Sequence, residues 1–236
     1  MNDQPGLDVR NVTVGFAVAR VAGGARVRRA RGSGNDEPSG TSPVLDDVSL
    51  SVRSSEVVAL LGPSGSGKST LLRVIAGIIS PDSGRVLIHG VDVTDQPTHR
   101  RAVGMVFQDN QLFPHMSALE NVEFGLKMAG VARPERSERG STWLRRVGLS
   151  GFEQRRVTNL SGGEAKRVAL ARTLAPEPAV VLLDEPLTGL DRELHDQLAA
   201  ELGSLLRDAS ATALLVTHDP DEAATVAGRT VQLADL

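Results

Sequence analysis

Almost entirely apolar runs along the chain predict the strands of a buried sheet. One run extends from Glu56 to Leu61 and another from Ala179 to Leu183, which is typical of parallel strands covered on both faces. Further strands are expected near Leu214 and Thr230. Apolar residues at helical spacing follow the first run, from Thr70 to Ala76. Strands that alternate with helices predict an α/β fold with a mainly parallel sheet wound on both faces.

The remaining parts of the chain have other patterns. Two stretches near the N-terminus, from Leu7 to Phe16 and from Val44 to Val52, predict strands of an antiparallel sheet. A mostly helical part is expected from about Asp109 to Leu160, including the amphipathic segment from Thr142 to Val147. We therefore predict a single domain with an antiparallel β-subdomain over about 1–55, an inserted helical subdomain over 109–160, and a core over 56–108 and 161–236.

The segment between the first apolar run and its helix has the composition of a phosphate-binding loop. It matches G-x-x-x-x-G-K-[ST] from Gly62 to Ser69. Glycines let successive backbone N–H groups turn toward an anion at the positive end of a helix. Lys68 is then expected to reach the β- and γ-phosphates, and the Ser69 hydroxyl to bind Mg²⁺, although a Gly/Ser-rich loop also arises by chance. The residues expected to hold the nucleotide are Gly62, Pro63, Ser64, Gly65, Ser66, Gly67, Lys68, Ser69 and Thr70.

Two adjacent carboxylates end the second apolar run. Asp184 is expected to hold Mg²⁺ directly or through water. Glu185 points elsewhere and is a candidate general base for the attacking water. A strand followed by a polar turn is the simpler interpretation, but the upstream phosphate loop favours a P-loop NTPase core.

A second candidate anion site lies at Ser161, Gly162 and Gly163. These residues precede a good helix sequence from Ala165 to Arg172, and Ser161 stands where an N-cap is expected. Read alone, the segment would be only a helix-capping turn. A single compact domain needs only one phosphate-binding site for one ATP. Two chains arranged head-to-tail can use both sites, because each chain then contributes one site to the same ATP.

With the phosphate loop upstream, the segment Leu160–Glu164 closely resembles the LSGGQ signature of the ATP-binding-cassette ATPases. The resemblance covers roughly residues 45–226. It implies that Ser161, Gly162 and Gly163 of one subunit close on the γ-phosphate held by the P-loop of a second subunit. It also implies that ATP and Mg²⁺ are the cofactors.

Three further segments match motifs of that family. The resemblance implies that Gln108 touches Mg²⁺ and links the ATP state to a transmembrane partner, that Asp191 crosses the dimer interface, and that His218 contacts the γ-phosphate. It therefore implies catalytic roles for Glu185, His218, Lys68 and Gln108, and a metal site of Ser69, Gln108 and Asp184.

Three features depart from the family's pattern. The Gly-, Ser- and Arg-rich insertion at 17–43 predicts a solvated hairpin extension, or alternatively a basic arm that touches anionic lipid headgroups. Phe16, beside it, is the candidate for the family's adenine-stacking aromatic, since the chain has no Tyr. Glu164 replaces the more usual Gln of the signature, and its negative charge is expected to weaken nucleotide binding only modestly.

Composition narrows the possible partners. A net charge of −3 over 236 residues is too small to indicate a polyanion-binding protein. Aromatic residues make up 3% and form no basic–aromatic cluster, so no nucleic-acid partner is expected. The absence of Cys fits a reducing cytoplasm. There is no signal peptide and no apolar stretch near the ~20 residues that cross a bilayer, so any transmembrane pathway is expected on another polypeptide.

The segment from Arg100 to Met116 resembles importer ATPases for thiamine, ferric iron and polyamines. The leading hypothesis is therefore the ATPase subunit of a bacterial importer, peripheral on the cytoplasmic face of the membrane. Its expected partners are a second identical subunit, integral membrane permease subunits and a solute-binding protein, with thiamine or ferric iron as solute. Importers of sugars and sulfate usually have an extra C-terminal regulatory domain, whereas this chain ends soon after Val231.

Two alternatives remain open on the sequence. A soluble cassette ATPase acting on ribosomes or DNA typically has two cassettes or long coiled-coil insertions, and this chain has neither. A P-loop kinase of small molecules would leave the Ser161–Gly163 segment unexplained.

Overall fold

The computed structural model describes residues 5–15 and 43–236. Phe16 and residues 17–42 lie outside the described residues, so the adenine-stacking role of Phe16 and the nature of the insertion stay predictions. The elements in chain order are β1 (Pro5–Val14), β2 (Leu45–Arg53), β3 (Val57–Leu61), α1 (Lys68–Ile75), β4 (Ser83–Ile88), β5 (Val91–Asp92), β6 (Val103–Val106), α2 (Ala118–Met128), α3 (Arg133–Arg146), α4 (Gly162–Leu174), β7 (Val180–Asp184), α5 (Arg192–Asp208), β8 (Ala213–Val216), α6 (Pro220–Val226) and β9 (Arg229–Gln232).

A five-stranded parallel sheet in the order β6-β7-β8-β3-β9 forms the centre of the fold. Its strands are covered on both faces: Val58 and Leu60 of β3 pack in one apolar core, while Val57 and Ala59 pack in the other. The predicted α/β fold with a doubly covered parallel sheet is therefore confirmed. Because parallel strands end at the same edge, the segments that follow β3, β6, β7 and β8 come together there.

A smaller antiparallel sheet has the order β2-β1-β4-β5. The sequence pattern predicted only its first two strands. The other two come from residues 83–92, inside the stretch for which the sequence predicts the core. Leu7 and Val52 of this sheet share an apolar core with Leu71 and Leu72 of α1, so the small sheet packs against the face that the P-loop helix covers.

The inserted part is built on α2 and α3. Helix α2 begins with a capping box: Ser117 Oγ accepts from the backbone N–H of Glu120, and the Glu120 carboxylate accepts from the N–H of Ser117. Trp143 of α3 is buried in the core shared with α4. None of the helices in the described ranges combines the length and apolar character that a bilayer crossing requires.

Candidate nucleotide-binding site

The loop between β3 and α1 leaves the N-terminus of a helix open. Gly67 precedes α1 with a left-handed φ of 104°, no side chain caps the helix, and its first turn has no acidic residue. A Cβ atom at Gly67 would lie 2.7 Å from the Val44 carbonyl oxygen, so this position needs glycine for both its conformation and its packing. The open amides and the helix dipole favour an anion at this point.

A cavity of about 170 Å³ lies against this helix end. It is lined by Val44, Ser64, Gly65, Gly67, Lys68, Ser69, Thr70 and Glu185. The other predicted loop residues, Gly62, Pro63 and Ser66, line a second cavity, of about 330 Å³, that shares Val44 with the first. The structure therefore places the predicted P-loop residues around two adjoining cavities, and it adds Glu185 to the one at the helix end.

Lys68 supplies a cation to the cavity at the helix end. Its side chain is only 4% exposed, and Nζ donates to the carbonyl oxygens of Gly62 at 2.6 Å and Pro63 at 2.8 Å. These carbonyls are neutral, so the ammonium charge has no carboxylate partner in the hydrogen bonds it makes here. A phosphate oxygen would give it a charge-assisted hydrogen bond, which is roughly twice as strong as a neutral one.

Ser69 and Asp184 meet across the site. Ser69 Oγ donates to Asp184 Oδ1 at 2.8 Å, and Asp184 is 7% exposed at the end of β7. Burial raises the pKa of the Asp184 carboxyl above its usual value, although the Ser69 hydrogen bond and the charge of Arg73 act against this. A hydroxyl and a carboxylate are oxygen ligands of the kind that Mg²⁺ binds, so the two side chains fit the predicted metal site.

Gln108 is not part of this cluster. It lies two residues after β6 with an exposed side chain, and it makes no hydrogen bond to Ser69 or Asp184. Strand β6 pairs with β7, so Gln108 emerges at the sheet edge where Asp184 lies. Its role as a metal ligand stays a prediction.

Glu185 and His218 form a pair beside the P-loop cavity. His218 Nδ1 lies 3.3 Å from Glu185 Oε2, and the same oxygen accepts from Thr188 Oγ1 at 3.1 Å. Glu185 has a left-handed φ of 45°, an unusual conformation for a residue with a side chain and one that clusters at functional sites. The His218 side chain is 58% exposed. A carboxylate held in this way can accept a proton from water, and the imidazole can orient it.

The second anion site is a helix start on a separate surface. Ser161 is the N-cap of α4: its Oγ accepts from the backbone N–H of Glu164 at 3.3 Å, and its own N–H donates to the Glu164 carboxylate at 2.7 Å. That backbone hydrogen bond lowers the pKa of the Glu164 carboxyl. Ser161 and Gly162 are exposed, Gly163 is buried, and none of the three lines the P-loop cavity.

Asp191 lies near this helix start. It is exposed and caps α5, where its carboxylate accepts from the backbone N–H of Leu194 at 3.0 Å. A Cβ atom at Gly163 would lie 3.2 Å from the Leu194 side chain. The start of α4 and the start of α5 therefore approach each other on one side of the domain.

Two polar residues of the site were missed by sequence reasoning. Thr188 supports Glu185, as described above. Glu222 is 4% exposed and accepts a hydrogen bond of 2.5 Å from Thr217, the residue before His218; burial raises the pKa of its carboxyl. No spacing in the sequence predicts either contact. In the structure Asp219 is the N-cap of α6, which places Glu222 in the first turn of that helix.

Comparison with known sequences decides the family. The model of the family described as ABC transporter matches residues 45–188. The chain belongs to the ABC transporter family. The match includes the P-loop, the α4 helix start, and the Asp184–Glu185 pair, and it ends before His218.

Several curated relatives are similar over most of this chain. The Fe(3+) ions import ATP-binding protein FbpC of Streptomyces coelicolor is 51% identical over 192 residues, which are 81% of this chain and 55% of the relative. The corresponding FbpC 1 of Rhizobium meliloti is 48% identical over 196 residues, 83% of this chain and 56% of the relative. The spermidine/putrescine import ATP-binding protein PotA of Roseobacter denitrificans is 48% identical over 185 residues, 78% and 51% respectively. The chain spans about half the length of these relatives.

Solved structures support the fold. The dimeric post-hydrolysis state of the ATP-binding cassette MJ0796 bound to ADP and Pi matches with a TM-score of 0.76 and 30% identity, over 96% of this chain and 93% of that one. A second dimeric structure of MJ0796, described as a bacterial ABC transporter cassette, matches with a TM-score of 0.78 and 29% identity, over 96% and 94%. The ATP-binding-cassette fold implied by the sequence is confirmed.

Proposed function

We propose that this chain is the ATP-hydrolysing subunit of a bacterial importer, and that two copies enclose two ATP–Mg²⁺ head-to-tail to drive a separate integral membrane permease. The observation on which the proposal rests most is the Glu185–His218 pair beside the open helix end of the P-loop, since it combines a proton acceptor with a phosphate cradle in one cavity.

The P-loop binds the phosphates in this proposal. The backbone amides at the start of α1 face the β- and γ-phosphates, and Lys68 exchanges its carbonyl partners Gly62 and Pro63 for phosphate oxygens. Ser69 and Asp184, with Gln108, would hold Mg²⁺, which would neutralise charge on the phosphates. Release of the Ser69–Asp184 hydrogen bond frees both oxygens for that purpose.

The chemistry is hydrolysis of the terminal phosphoanhydride bond. Glu185 accepts a proton from a water molecule as the water oxygen bonds to the γ-phosphorus, and the bond from that phosphorus to the bridging oxygen breaks. ADP and phosphate are the products. His218, held 3.3 Å from Glu185, orients the carboxylate and contacts the γ-phosphate.

The second copy completes the site. Ser161 and Gly162 are exposed and lie outside their own chain's P-loop cavity, so they are free to meet the γ-phosphate bound by a facing chain, with Gly163 and Asp191 beside them. The two solved structures of similar fold are described as dimeric, which supports this arrangement. Hydrolysis adds a charged product between the two copies. This charge weakens their contact, and the dimer reopens.

The membrane partner and the solute follow from the names of the relatives. Import ATP-binding proteins for Fe(3+) ions and for spermidine/putrescine are similar to this chain, so we place it on the cytoplasmic face of the membrane with permease subunits and a solute-binding protein. Ferric iron is the proposed solute, because most of the relatives compared are named for it. The assay is iron-dependent stimulation of ATP hydrolysis by the co-purified membrane complex; equal rates with and without iron would exclude this solute.

Binding and chemistry separate in two variants. Glu185→Gln keeps the shape and hydrogen bonding of the side chain but removes the basic carboxylate, so hydrolysis should fall about 10²–10⁴-fold. Because a negative charge near the γ-phosphate is also removed, the variant should elute as a dimer when ATP is added. Lys68→Ala removes the buried cation of the cradle, so it should bind ATP weakly and stay monomeric in size-exclusion chromatography.

Glu138→Gln, an exposed site on α3, is the matched control and should behave as the wild type. Hydrolysis at the wild-type rate by Glu185→Gln would mean that another group is the base. No hydrolysis by the wild type with its membrane partner would overturn the proposal as a whole.

A further inference from the structure

The turn that contains Gln108 ends in two residues with unfavourable backbone conformations. Asn110 and Gln111 both have left-handed backbone conformations, with φ of 60° and 43°. Such conformations are uncommon for residues with side chains, less so for Asn than for Gln. The backbone N–H of Asn110 donates to the Phe107 carbonyl at 3.0 Å, and that of Gln111 to the Asp109 carbonyl at 2.7 Å. Gln108 therefore lies within a tight turn, and the two residues that end this turn need stabilising contacts.

The support comes from one arginine of α4. Arg172 Nη2 donates to the Asn110 carbonyl at 2.8 Å, and Nη1 donates to the Gln111 carbonyl at 2.7 Å. The guanidinium carbon also lies 5.6 Å from the centre of the Phe113 ring. The planar fork thus engages the two left-handed residues together, which the single ammonium of a lysine does not do with the same geometry.

The hydrogen bonds of the Arg172 guanidinium to this turn are made to neutral carbonyl oxygens. Burial lowers the pKa of the Arg172 guanidinium, and in the described ranges no carboxylate forms an ion pair with it. A partly buried cation that is satisfied by neutral carbonyls is less favourable than one paired with an acid. Two short hydrogen bonds at consecutive strained residues indicate that the loop is what this side chain stabilises.

Helix α4 connects this contact to the other end of the site. Ser161 caps the N-terminus of α4 and Arg172 lies in its last turn. The two are eleven residues apart, which is about 16 Å along an α-helix. Helix α4 therefore carries the exposed Ser161 at its start and, through Arg172, holds the turn that contains Gln108 near its end.

We propose that Arg172 is a positioning residue that fixes the turn at 107–111, and with it the direction of the Gln108 side chain, to helix α4. A movement of α4 as a facing chain engages Ser161 then moves Gln108 as well. This inference rests on the proposed function for its effect on hydrolysis, but the fixation of the turn is measurable without nucleotide.

The test is hydrogen exchange of residues 107–113 in Arg172→Met, measured by mass spectrometry on the nucleotide-free chain. Arg172→Met removes both charge-assisted hydrogen bonds to the turn. Opening of this segment should therefore rise at least about 10-fold, the factor expected from the loss of even one of them, while exchange at the P-loop stays unchanged. Arg172→Lys should give an intermediate increase. With the membrane partner, kcat should fall about 10-fold and KM for ATP should change less than about 2-fold, since the P-loop is intact.

Arg167→Met is the matched control, because Arg167 also lies on α4 and donates to a backbone carbonyl, that of Val147, at 3.0 Å. It should leave exchange at 107–113 unchanged. A second variant tests the cause: Gln111→Gly removes the backbone strain, since glycine adopts positive φ readily. In the Arg172→Met background it should restore most of the protection and of kcat, with little effect in the wild type.

Unchanged exchange at 107–113 in Arg172→Met would overturn the inference, as would an equal increase in both arginine variants across the whole domain. Absence of hydrolysis by the wild type would instead refute the proposed function, and the exchange result would still decide whether Arg172 holds the turn.

Discussion

The buried carboxylate of Asp184 should make the fold less stable at neutral pH. Asp184 is 7% exposed at the end of the central strand β7, and burial raises the pKa of its carboxyl. A carboxyl with a raised folded-state pKa binds its proton more tightly in the folded protein, so its contribution to stability falls as the pH rises through that pKa. Replacing Asp184 by Asn should therefore stabilise the nucleotide-free protein.

The expected gain follows from what the substitution keeps. The Asn side chain has the same shape, and its carbonyl oxygen can still accept the 2.8 Å hydrogen bond from Ser69. Only the buried charge is removed. Removing an unfavourable buried charge of this kind should raise the free energy of unfolding by roughly 0.5–2 kcal/mol. At roughly 2–4 °C per kcal/mol for a protein of this size, the melting temperature should rise by about 1–8 °C.

The assay is thermal unfolding at pH 8 with a chelator, compared with Asp82→Asn. Asp82 is exposed, and its carboxylate accepts from the Gly15 N–H at 2.7 Å, so the control removes a solvated charge and should gain little. The advantage of Asp184→Asn should shrink as the pH is lowered, because the wild type then protonates Asp184 and recovers stability. On adding Mg²⁺ and ATP, the wild type should gain more stability than the variant, which lacks the carboxylate proposed to bind Mg²⁺.

The outcome that refutes this reasoning is a lower melting temperature for Asp184→Asn than for the wild type at pH 8. It would mean that the charges of Arg73 and Lys68, which favour the carboxylate, outweigh its burial.

Two further predictions concern neighbouring positions. Gly67→Ala should lower affinity for a fluorescent ATP analogue at least about 10-fold, because it combines left-handed strain of roughly 1–2 kcal/mol with a 2.7 Å approach to the Val44 carbonyl; Gly65→Ala, with φ of 78° and nothing within 4 Å, should lose less. Glu222→Gln should be more stable than the wild type by an amount that grows as the pH rises above 4.5, the ordinary pKa of a glutamate carboxyl, and urea unfolding at several pH values measures this difference. A difference that shrinks with rising pH would contradict the burial argument.

Local signals in the sequence predicted the P-loop well. The apolar run of β3, the glycines and the helix start are consecutive, so hydrophobic pattern and turn chemistry act on one segment. The N-cap predicted at Ser161 is local in the same way, and the structure confirms it. Strands β4 and β5 were missed because they are short and partly exposed, and the pairing of β4 with β1 depends on contacts far apart in sequence.

Contacts between residues that follow neighbouring strands could not be predicted from local sequence patterns. Glu185 and His218 follow β7 and β8, which are neighbours in the sheet, and only this neighbourhood brings them to 3.3 Å. Family resemblance named both residues but not their contact. The Arg172 contact with Asn110 and Gln111 had no signal at all, since its acceptors are backbone carbonyls, which every residue has.

The backbone at Glu185 explains how two adjacent acids make different contacts. Asp184 Oδ1 contacts Ser69 on the P-loop helix, while Glu185 Oε2 contacts Thr188 and His218. The left-handed φ of Glu185 ends the strand at this point, and the Glu185 N–H still donates to the Val216 carbonyl at 2.9 Å. A backbone conformation that costs roughly 1–2 kcal/mol therefore directs the carboxylate proposed to bind Mg²⁺ and the carboxylate proposed to accept a proton to different partners, and the hydrogen bond to β8 holds Glu185 in place relative to His218.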